Sequence, residues 1–388
     1  MSEPVGFPGD ERANTASEPV GFPGGVRANT VSEPVGFPGG ERASTASAAS
    51  PDFGTMTDLA SRELGGSVVF ANDEFFAEKE NLIKAGPPVH AAEEFGHKGK
   101  VYDGWETRRR REPGHDHAIV RLGCPGIVHG VVVDTAFFRG NYPPEISVEA
   151  ACAAGYPSAA ELAEISWHPL VARAAALGDT VNRYPVSDRH RWTHVRLSIY
   201  PDGGVARLRV HGDVVPDPAF MTGTIDLAAI ENGGTVIGCS DAFYSPPAHL
   251  IMPGLSRVMS DGWENARRRG PGNDYVELRL GAAGRIRHVE VDTSYYVGNA
   301  PGWIRLTAAG PACPDAAEPA AREWRELVPR TRVQPDTRHR FVVDDPGEVE
   351  FLRLDVIPDG GIARLRVYGE VAAASLDALR GRWQATAP

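Results

Sequence analysis

The sequence is poor in cysteine and has no long apolar run. Its four cysteines, Cys124, Cys152, Cys239 and Cys313, are scattered and lack metal-site spacing. We therefore expect reduced thiols in a cytoplasmic protein. No run approaches the roughly 20 apolar residues of a membrane helix. The first residues also lack the basic and apolar segments of a secretory signal. Neither a membrane partner nor secretion is predicted.

Lysine is scarce as well, with only four lysines among the 40 Lys and Arg residues, and the formal net charge is −11. A duplex-binding protein is more often basic overall or carries a basic face. The acidic balance therefore disfavours a nucleic-acid partner, a conclusion that a steep salt dependence of binding would reverse. Arginine is in excess, and its placement is informative.

The amino-terminal segment, residues 2–46, consists of three near-identical 15-residue units beginning at Ser2, Ser17 and Ser32. Each unit has two prolines, several glycines and a single phenylalanine. This apolar surface is too small to offset the entropy cost of ordering the chain, so residues 1–55 are predicted to be a disordered tail. The alternative interpretation is that translation starts at Met56 and the repeats are translated upstream sequence.

One long block of the remaining chain occurs twice. Asp103-Gly104-Trp105-Glu106-Thr107 leads into Arg108–Arg111, then into Gly114-His115-Asp116-His117 and Val133-Asp134-Thr135. The second block has Asp261-Gly262-Trp263-Glu264-Asn265, Arg267–Arg269, Gly272-Asn273-Asp274-Tyr275 and Val291-Asp292-Thr293. The offset is constant, since 261 − 103, 274 − 116 and 292 − 134 all equal 158. The block therefore marks a duplicated domain, with repeats at 56–215 and 216–388.

Short alternating strands dominate both repeats. Apolar and polar residues alternate at 118–122, and residues 128–133 form a nearly continuous β-branched run. A hairpin is predicted where the strands 195–200 and 206–211 flank Pro201-Asp202-Gly203-Gly204. Helical signal is confined to 159–164 and 316–327. The pattern predicts an all-β fold of two tandem antiparallel β-sandwiches, for which a jelly roll is plausible.

The arginine run beside Trp105-Glu106 is the first candidate site. An isolated run is usually a solvated loop, or a structural hub of salt bridges. This run recurs at a fixed distance from a tryptophan and a carboxylate, and it lies between strands, where loops carry sites. Guanidinium groups grip carboxylates in bidentate fashion. Because neighbouring side chains of an extended loop point oppositely, two of Arg108–Arg111 are expected to face a pocket and the others to pair with Glu residues. A small anionic substrate is predicted.

The His-Asp-His triplet is a second candidate. His115 and His117 fall on the same side of a strand and could supply two metal ligands. The second repeat loses both imidazoles, and no third ligand has a recognisable spacing. No metal site is therefore assigned, although a divalent metal remains possible. Asp116 is shared with the second repeat as Asp274, and it would orient an arginine or act as a base.

Two further residues follow the buried strand. Asp134 ends that strand, and a buried carboxylate must be hydrogen-bonded or ion-paired. It either caps the next loop or points into a site with a raised pKa. Asn141, which matches Asn299 in a repeated Gly-Asn pair, is a turn residue or a reader of an amide or urea group.

The ordered motifs at 103–111, 114–117, 133–135 and 140–143, together with their duplicates at 261–301, resemble the allantoicase family. The resemblance covers about residues 68–370. It implies two jelly-roll, galactose-binding-like domains, hydrolysis of allantoate to ureidoglycolate and urea in purine breakdown, and a homo-oligomer. The second repeat departs from the first at Ala266, Asn273, Tyr275 and Val297, so the resemblance does not fix which repeat is catalytic.

The substrate that the resemblance implies assigns roles. Releasing urea from an sp³ carbon requires an acid for the departing nitrogen and a base, which paired carboxylates or a carboxylate with His would supply. The catalytic candidates are Glu106, Asp116, His117 and Asp134. The substrate-binding candidates are Trp105, Arg108, Arg109, Arg110, Arg111, Asn141, Arg267, Arg268 and Asn299. The alternative is a non-catalytic β-sandwich that binds a small anionic or carbohydrate ligand, although such sites favour exposed aromatics over arginine clusters.

Overall fold

The structure is a computed structural model that describes residues 52–90, 93–96, 99–311 and 322–388. The predicted disordered tail lies outside the described residues except for 52–55. Within that remainder, Phe53–Thr55 form a 3-10 turn, and the Phe53 ring lies 6.1 Å from the ring of His211 in the first repeat. Within the described residues, no helix has the length and apolar content to cross a membrane.

Within the described residues the first repeat has twelve strands, of which eight have counterparts in the second. Those of the first repeat are β1 (Thr57–Asp58), β2 (Ser67–Ala71), β3 (Phe95–Gly96), β4 (Gly99–Lys100), β5 (Trp105–Glu106), β6 (Asp116–Asp134), β7 (Glu145–Ala151), β8 (His168–Ala175), β9 (Val181–Pro185), β10 (Arg191–Tyr200), β11 (Gly204–Val205) and β12 (Arg207–Val214). Those of the second are β13 (Ile225–Asp226), β14 (Thr235–Cys239), β15 (Asp274–Asp292), β16 (Trp303–Ala309), β17 (Arg325–Arg332), β18 (Arg338–Val342), β19 (Glu348–Ile357) and β20 (Arg364–Val371).

Each sandwich is built around one strand that belongs to both layers. The first half of β6 pairs with β2 and β10, and its second half pairs with β9 and β12, all antiparallel. In the second repeat β15 pairs in the same way with β14 and β19, then with β18 and β20. The β-branched run predicted at 128–133 lies in the second half of β6, where Val128, Val131 and Val133 are fully buried. The predicted all-β fold of two sandwiches is confirmed.

The predicted hairpin is wrong. Strands β10 and β12 both exist, but they pair with opposite halves of β6 and not with each other. Alternation of apolar and polar residues indicates a strand without naming its partner. The connecting segment Pro201–Gly204 therefore crosses from one layer to the other, and the Tyr200–Pro201 and Ile357–Pro358 peptide bonds are cis in the two repeats. This crossing places the segment at the candidate site.

The helix predictions have a mixed outcome. The helix at 159–164 is confirmed as α1 (Ala159–Glu164), which begins with a capping box between Ser158 and Glu161. Of the predicted helix at 316–327, residues 325–327 belong to β17 and 316–321 lie outside the described residues. A carboxyl-terminal helix, α2 (Ala373–Ala385), was not predicted. Its Trp383 ring lies 3.6 Å from the guanidinium of Arg191, so α2 packs back onto the first repeat.

Candidate active site

The Asp-Gly-Trp-Glu motif anchors a short strand beside the first sandwich. Trp105 is fully buried, and its indole nitrogen donates to the carbonyl oxygen of Asp73 at 2.7 Å. The strand it begins, β5, pairs with β11, so that Glu106 lies opposite Gly204. Burial on this scale makes Trp105 a packing anchor for its neighbour, and its ring does not line the cleft described below.

Glu106 lies in a cleft of about 400 Å³ beside the crossing segment. The cleft is lined by Phe76, Glu106, Thr107, Arg109, Gly140, Asn141, Tyr142, Pro144, Pro201, Asp202 and Gly203. Three candidates from the sequence, Glu106, Arg109 and Asn141, are therefore brought together there. Phe76, Tyr142 and Asp202 were not predicted to belong to the site.

Glu106 and Asp116 are both buried carboxyls with one oxygen that lacks a hydrogen-bond partner in the described part of the chain, and of the two only Glu106 lines this cleft. Glu106 is 7% exposed, its Oε1 accepts a hydrogen bond of 2.5 Å from Asn141 Nδ2, and among the described residues its buried Oε2 has no hydrogen-bond partner. Burial raises the pKa of Glu106, against the lowering effect of the Asn141 bond. A buried polar atom without a partner in a native protein calls for an explanation, and a bound ligand is one. Glu106 therefore has the features of a proton donor.

Close packing fixes the crossing segment Pro201–Gly204 beside the cleft. A Cβ on Gly204 would lie 2.1 Å from the ring of Phe138, so only glycine fits there. The amide nitrogen of Gly204 donates to the carbonyl oxygen of Asn141 at 2.7 Å. Thr107 joins the same segment, because its hydroxyl accepts from the Gly203 amide at 3.2 Å. The crossing segment thus fixes both Glu106 and Asn141.

The four arginines divide into two pairs. Arg108 Nε donates to Asp73 Oδ2 at 2.7 Å, and Arg110 Nη1 donates to the buried Asp116 Oδ1 at 2.6 Å. Within the described residues no ion pair holds Arg109 or Arg111, and both are exposed. The partners are Asp rather than the Glu expected from the sequence. The alternation leaves Arg109 as the cation that lines the cleft with Glu106.

Asp116 and His117 lie on opposite faces of β6, because neighbouring strand residues alternate. Asp116 accepts from Arg110 and, at 2.8 Å, from Asn72 Nδ2. His117 packs against Phe70 with 5.4 Å between ring centroids. Burial lowers the pKa of His117. Asp116 therefore supports the arginine loop, and His117 is absent from the lining of the cleft that holds Glu106.

His115 shares the outer face with His117, at 6.1 Å between the ring centroids, and packs on Tyr200 at 4.8 Å. Burial, followed by the nearby positive charge of Arg110, lowers the pKa of His115. Across the part of the chain that the structure describes, no group of three His, Cys, Asp or Glu residues is arranged to hold a metal ion. These donors do not fit a metal centre.

Asp134 caps the loop after β6. Its Oδ1 accepts from the amide nitrogen of Ala136 at 2.9 Å, two residues further on. The side chain is half-buried and does not line the cleft with Glu106. This geometry matches the capping alternative, and the adjacent Thr135 hydroxyl links the loop to another segment through the Leu177 and Thr180 carbonyl oxygens.

Asp202 is the acidic residue that sequence reasoning missed. Its Oδ2 accepts from the amide nitrogen of Arg110 at 2.8 Å, and among the described residues its other oxygen has no hydrogen-bond partner. The only sequence signal was its place in a Pro-Asp-Gly-Gly stretch that recurs at 358–361. That stretch is typical of a turn, so nothing in the sequence indicated that Asp202 lies at a site.

The second repeat rebuilds this frame. Asn299 Nδ2 donates to Glu264 Oε1 at 2.5 Å. Arg268 pairs with the buried Asp274, and the Arg268 amide donates to Asp359 Oδ2 at 2.9 Å. Of the candidates there, Arg268 is thus a supporting residue and Arg267 is exposed.

Comparisons with known proteins agree with these repeats. A family model described as the allantoicase repeat matches residues 57–215 and 225–372. A probable allantoicase of Nocardia farcinica is 54% identical over 323 residues, covering 82% of this chain and 95% of that protein. The allantoicase of Dictyostelium discoideum is 41% identical, covering 80% of this chain and 86% of that protein.

The solved structures agree in the same way. The crystal structure of allantoicase from Saccharomyces cerevisiae superposes with a TM-score of 0.68 at 33% identity, covering 81% of this chain and 92% of that one. Family model, sequence relatives and fold all point to one assignment, and the chain belongs to the allantoicase family.

Proposed function

We propose that the cleft of the first repeat is where this chain hydrolyses allantoate to ureidoglycolate and urea, a reaction of purine degradation. Family membership supplies the reaction, and the structure supports its place. The observation that carries the placement is Glu106, a buried carboxyl in a cleft that Arg109 also lines; within the described residues its Oε2 has no hydrogen-bond partner and Arg109 has no ion pair. No observation favours a non-catalytic binding module.

The chemistry needs a proton donor. Allantoate holds one carboxylate and two ureido groups on a single carbon, and urea leaves when one carbon–nitrogen bond breaks. The departing nitrogen takes a proton, while the lone pair of the remaining ureido nitrogen stabilises the carbon. Water then adds to that carbon and loses a proton, which gives ureidoglycolate. Acid and base catalysis of such steps typically contributes about 10²–10⁴-fold.

Glu106 is the proposed acid. Since its Oε1 already accepts the Asn141 N–H, the proton of the neutral carboxyl resides on Oε2. Its raised pKa keeps the proton on the carboxyl at a higher pH than an exposed Glu would. A substrate nitrogen at Oε2 would satisfy that atom and receive its proton.

The remaining roles follow the cleft lining. Arg109, free of ion pairs within the described residues, binds the substrate carboxylate. Asn141 orients Glu106 and offers its second N–H and its oxygen to a ureido group. Phe76 and Tyr142 form the aromatic walls, and Asp202 is the proposed acceptor of the water proton. Arg108, Arg110, Asp116 and Trp105 position the loop, and we propose no proton-transfer role for His117 or Asp134.

A cytoplasmic location and a homo-oligomer are part of the same proposal. Both follow from the family expectation, and sedimentation of the purified chain tests the second. A mass equal to one chain at working concentration would contradict it.

The experiment is urea release from allantoate by the purified full-length chain, with and without a chelator. The proposal expects release in both conditions, because the proposed proton transfers use only side chains. Loss on chelation with recovery by a divalent ion would overturn the assigned roles and return attention to His115 and His117. No urea in either condition would overturn the function.

A further inference from the structure

The second repeat retains the parts that would bind a ligand, in addition to those that hold the frame. Glu264 and Asn299 repeat the 2.5 Å contact of Glu106 and Asn141. The amide nitrogen of Tyr244 donates to the carbonyl oxygen of Glu264 at 3.1 Å, as that of Phe76 does to Glu106 at 3.2 Å. The carboxyl–amide contact and the main chain of the aromatic residue beside it are therefore arranged alike in both repeats.

The cation is also retained. Arg267 occupies the position of Arg109, is exposed, and within the described residues forms no ion pair. Its neighbour Arg268 pairs with Asp274 as Arg110 pairs with Asp116. Arg267 thus matches in sequence position and in its lack of an ion pair, within the described residues, the Arg109 that lines the first cleft with Glu106 and Asn141.

Methionine 259 distinguishes the second repeat. Its Sδ lies 3.2 Å from Asn299 Nδ2, and its carbonyl oxygen accepts 2.7 Å from the hydroxyl of Tyr296. In the first repeat the residue that corresponds to Tyr296 is Phe138, which has no hydroxyl to make this bond. Met259 is 42% exposed, so its flexible side chain lies between the Asn299 amide and solvent and has room to change rotamer.

The carboxyl of the second repeat is also less suited to proton transfer. Glu264 is only half-buried, whereas Glu106 is buried with an unpartnered oxygen. Ala300 replaces Tyr142 and removes one wall of the cleft. A half-exposed carboxyl stays hydrated, so it does not undergo the desolvation that distinguishes Glu106.

We propose that the second repeat is a separate binding site for a small carboxylate bearing a ureido group, which it holds without hydrolysing. Arg267 binds the carboxylate, Glu264 and Asn299 bind the ureido group, and Met259 moves aside. The ligand class rests on the proposed function of the first repeat, since it is carried over through matching groups.

The test uses N-carbamoylglycine, which has one carboxylate and one ureido group and lacks the second ureido group that leaves as urea. Calorimetric titration of the full-length chain is expected to show two sites per chain. Arg267→Ala should leave one site and Arg109→Ala should leave the other. Met259→Ala should tighten the second site several-fold, because a ligand there no longer has to displace the side chain.

One site per chain that Arg267→Ala does not affect would overturn the inference. Circular dichroism of each variant excludes misfolding as the cause of a lost site. Failure of the proposed function appears elsewhere, as absence of urea release from allantoate, so the two failures are distinguishable. Urea release that persists in Arg109→Ala and is abolished in Arg267→Ala would show that the second site is catalytic, and would overturn the claim that it only binds.

Discussion

The two repeats share the residues that support the loop and differ in how deeply the matching glutamate is buried. Trp105 and Trp263 are both fully buried and donate to main-chain oxygens at 2.7 and 2.8 Å. Asp116 and Asp274 both hold an arginine. The carboxyls differ in exposure, since Glu106 is buried and Glu264 is half-exposed. The duplicated motif is therefore mainly structural, and the proposed sites of the two repeats differ in the residues around it.

This comparison separates two kinds of recurring residue. The tryptophan, the alternate arginines and the aspartates recur because they stabilise the same loop. Tyr142, which lines the cleft, is replaced by Ala300, and Phe138, which packs against Gly204, is replaced by Tyr296. The retained carboxyl–amide pair therefore stands among different neighbouring residues in the two repeats.

After the glutamates Glu106 and Glu264, the arginines Arg109 and Arg267 should give the largest contrast between the two repeats. Arg109→Ala should lower kcat/KM for allantoate roughly 10- to 100-fold, because a charge-assisted bond to the substrate contributes about 1.5–3 kcal/mol. The matched Arg267→Ala should lower it at most about two-fold. Initial rates of urea release measure both. Equal losses in the two variants would contradict the assignment of catalysis to the first repeat.

The pH dependence should follow Glu106. Because the neutral carboxyl is the proposed acid, kcat/KM falls as pH rises through its raised pKa. Asn141→Ala removes the bond that lowers this pKa, so the falling limb should move to higher pH, with a lower maximum. The matched Asn299→Ala should leave the limb in place. A limb that moves to lower pH in Asn141→Ala would rule out this role for the bond.

Asp134 should show the smallest effect. Asp134→Asn keeps an oxygen that can accept from the Ala136 amide, so turnover and thermal stability should both stay near those of the parent chain. Asp292, its counterpart, accepts from the Ser294 amide at 2.8 Å, and Asp292→Asn provides the control. A large loss of turnover confined to Asp134→Asn, without unfolding, would return Asp134 to the catalytic residues.

The sequence predicted much of the fold, because strand alternation and a constant offset are local and repeated signals. The predicted pairing of β10 with β12 was wrong, since alternation does not encode the partner. In the site, the alternation of Asp116 and His117 was readable in principle from the strand period. The contact between Glu106 and Asn141 joins residues 35 apart in sequence, and only the crossing segment brings them together.

Asp202 shows a different limit. Pro-Asp-Gly is a strong turn signal, and its strength concealed the aspartate side chain that the turn presents to the cleft. Local patterns thus predicted segments well, while the cleft depended on how distant segments meet.

The most direct measurement compares Glu106→Gln with Glu264→Gln in urea release from allantoate. Glutamine preserves the shape and the acceptor for the asparagine N–H, so each repeat should remain folded. The neutral side chain also removes the cost of a buried charge, which is present at pH above the raised pKa of Glu106. We predict a loss of about 10²–10⁴-fold for Glu106→Gln and near-parental turnover for Glu264→Gln. Retained turnover in Glu106→Gln would contradict the account.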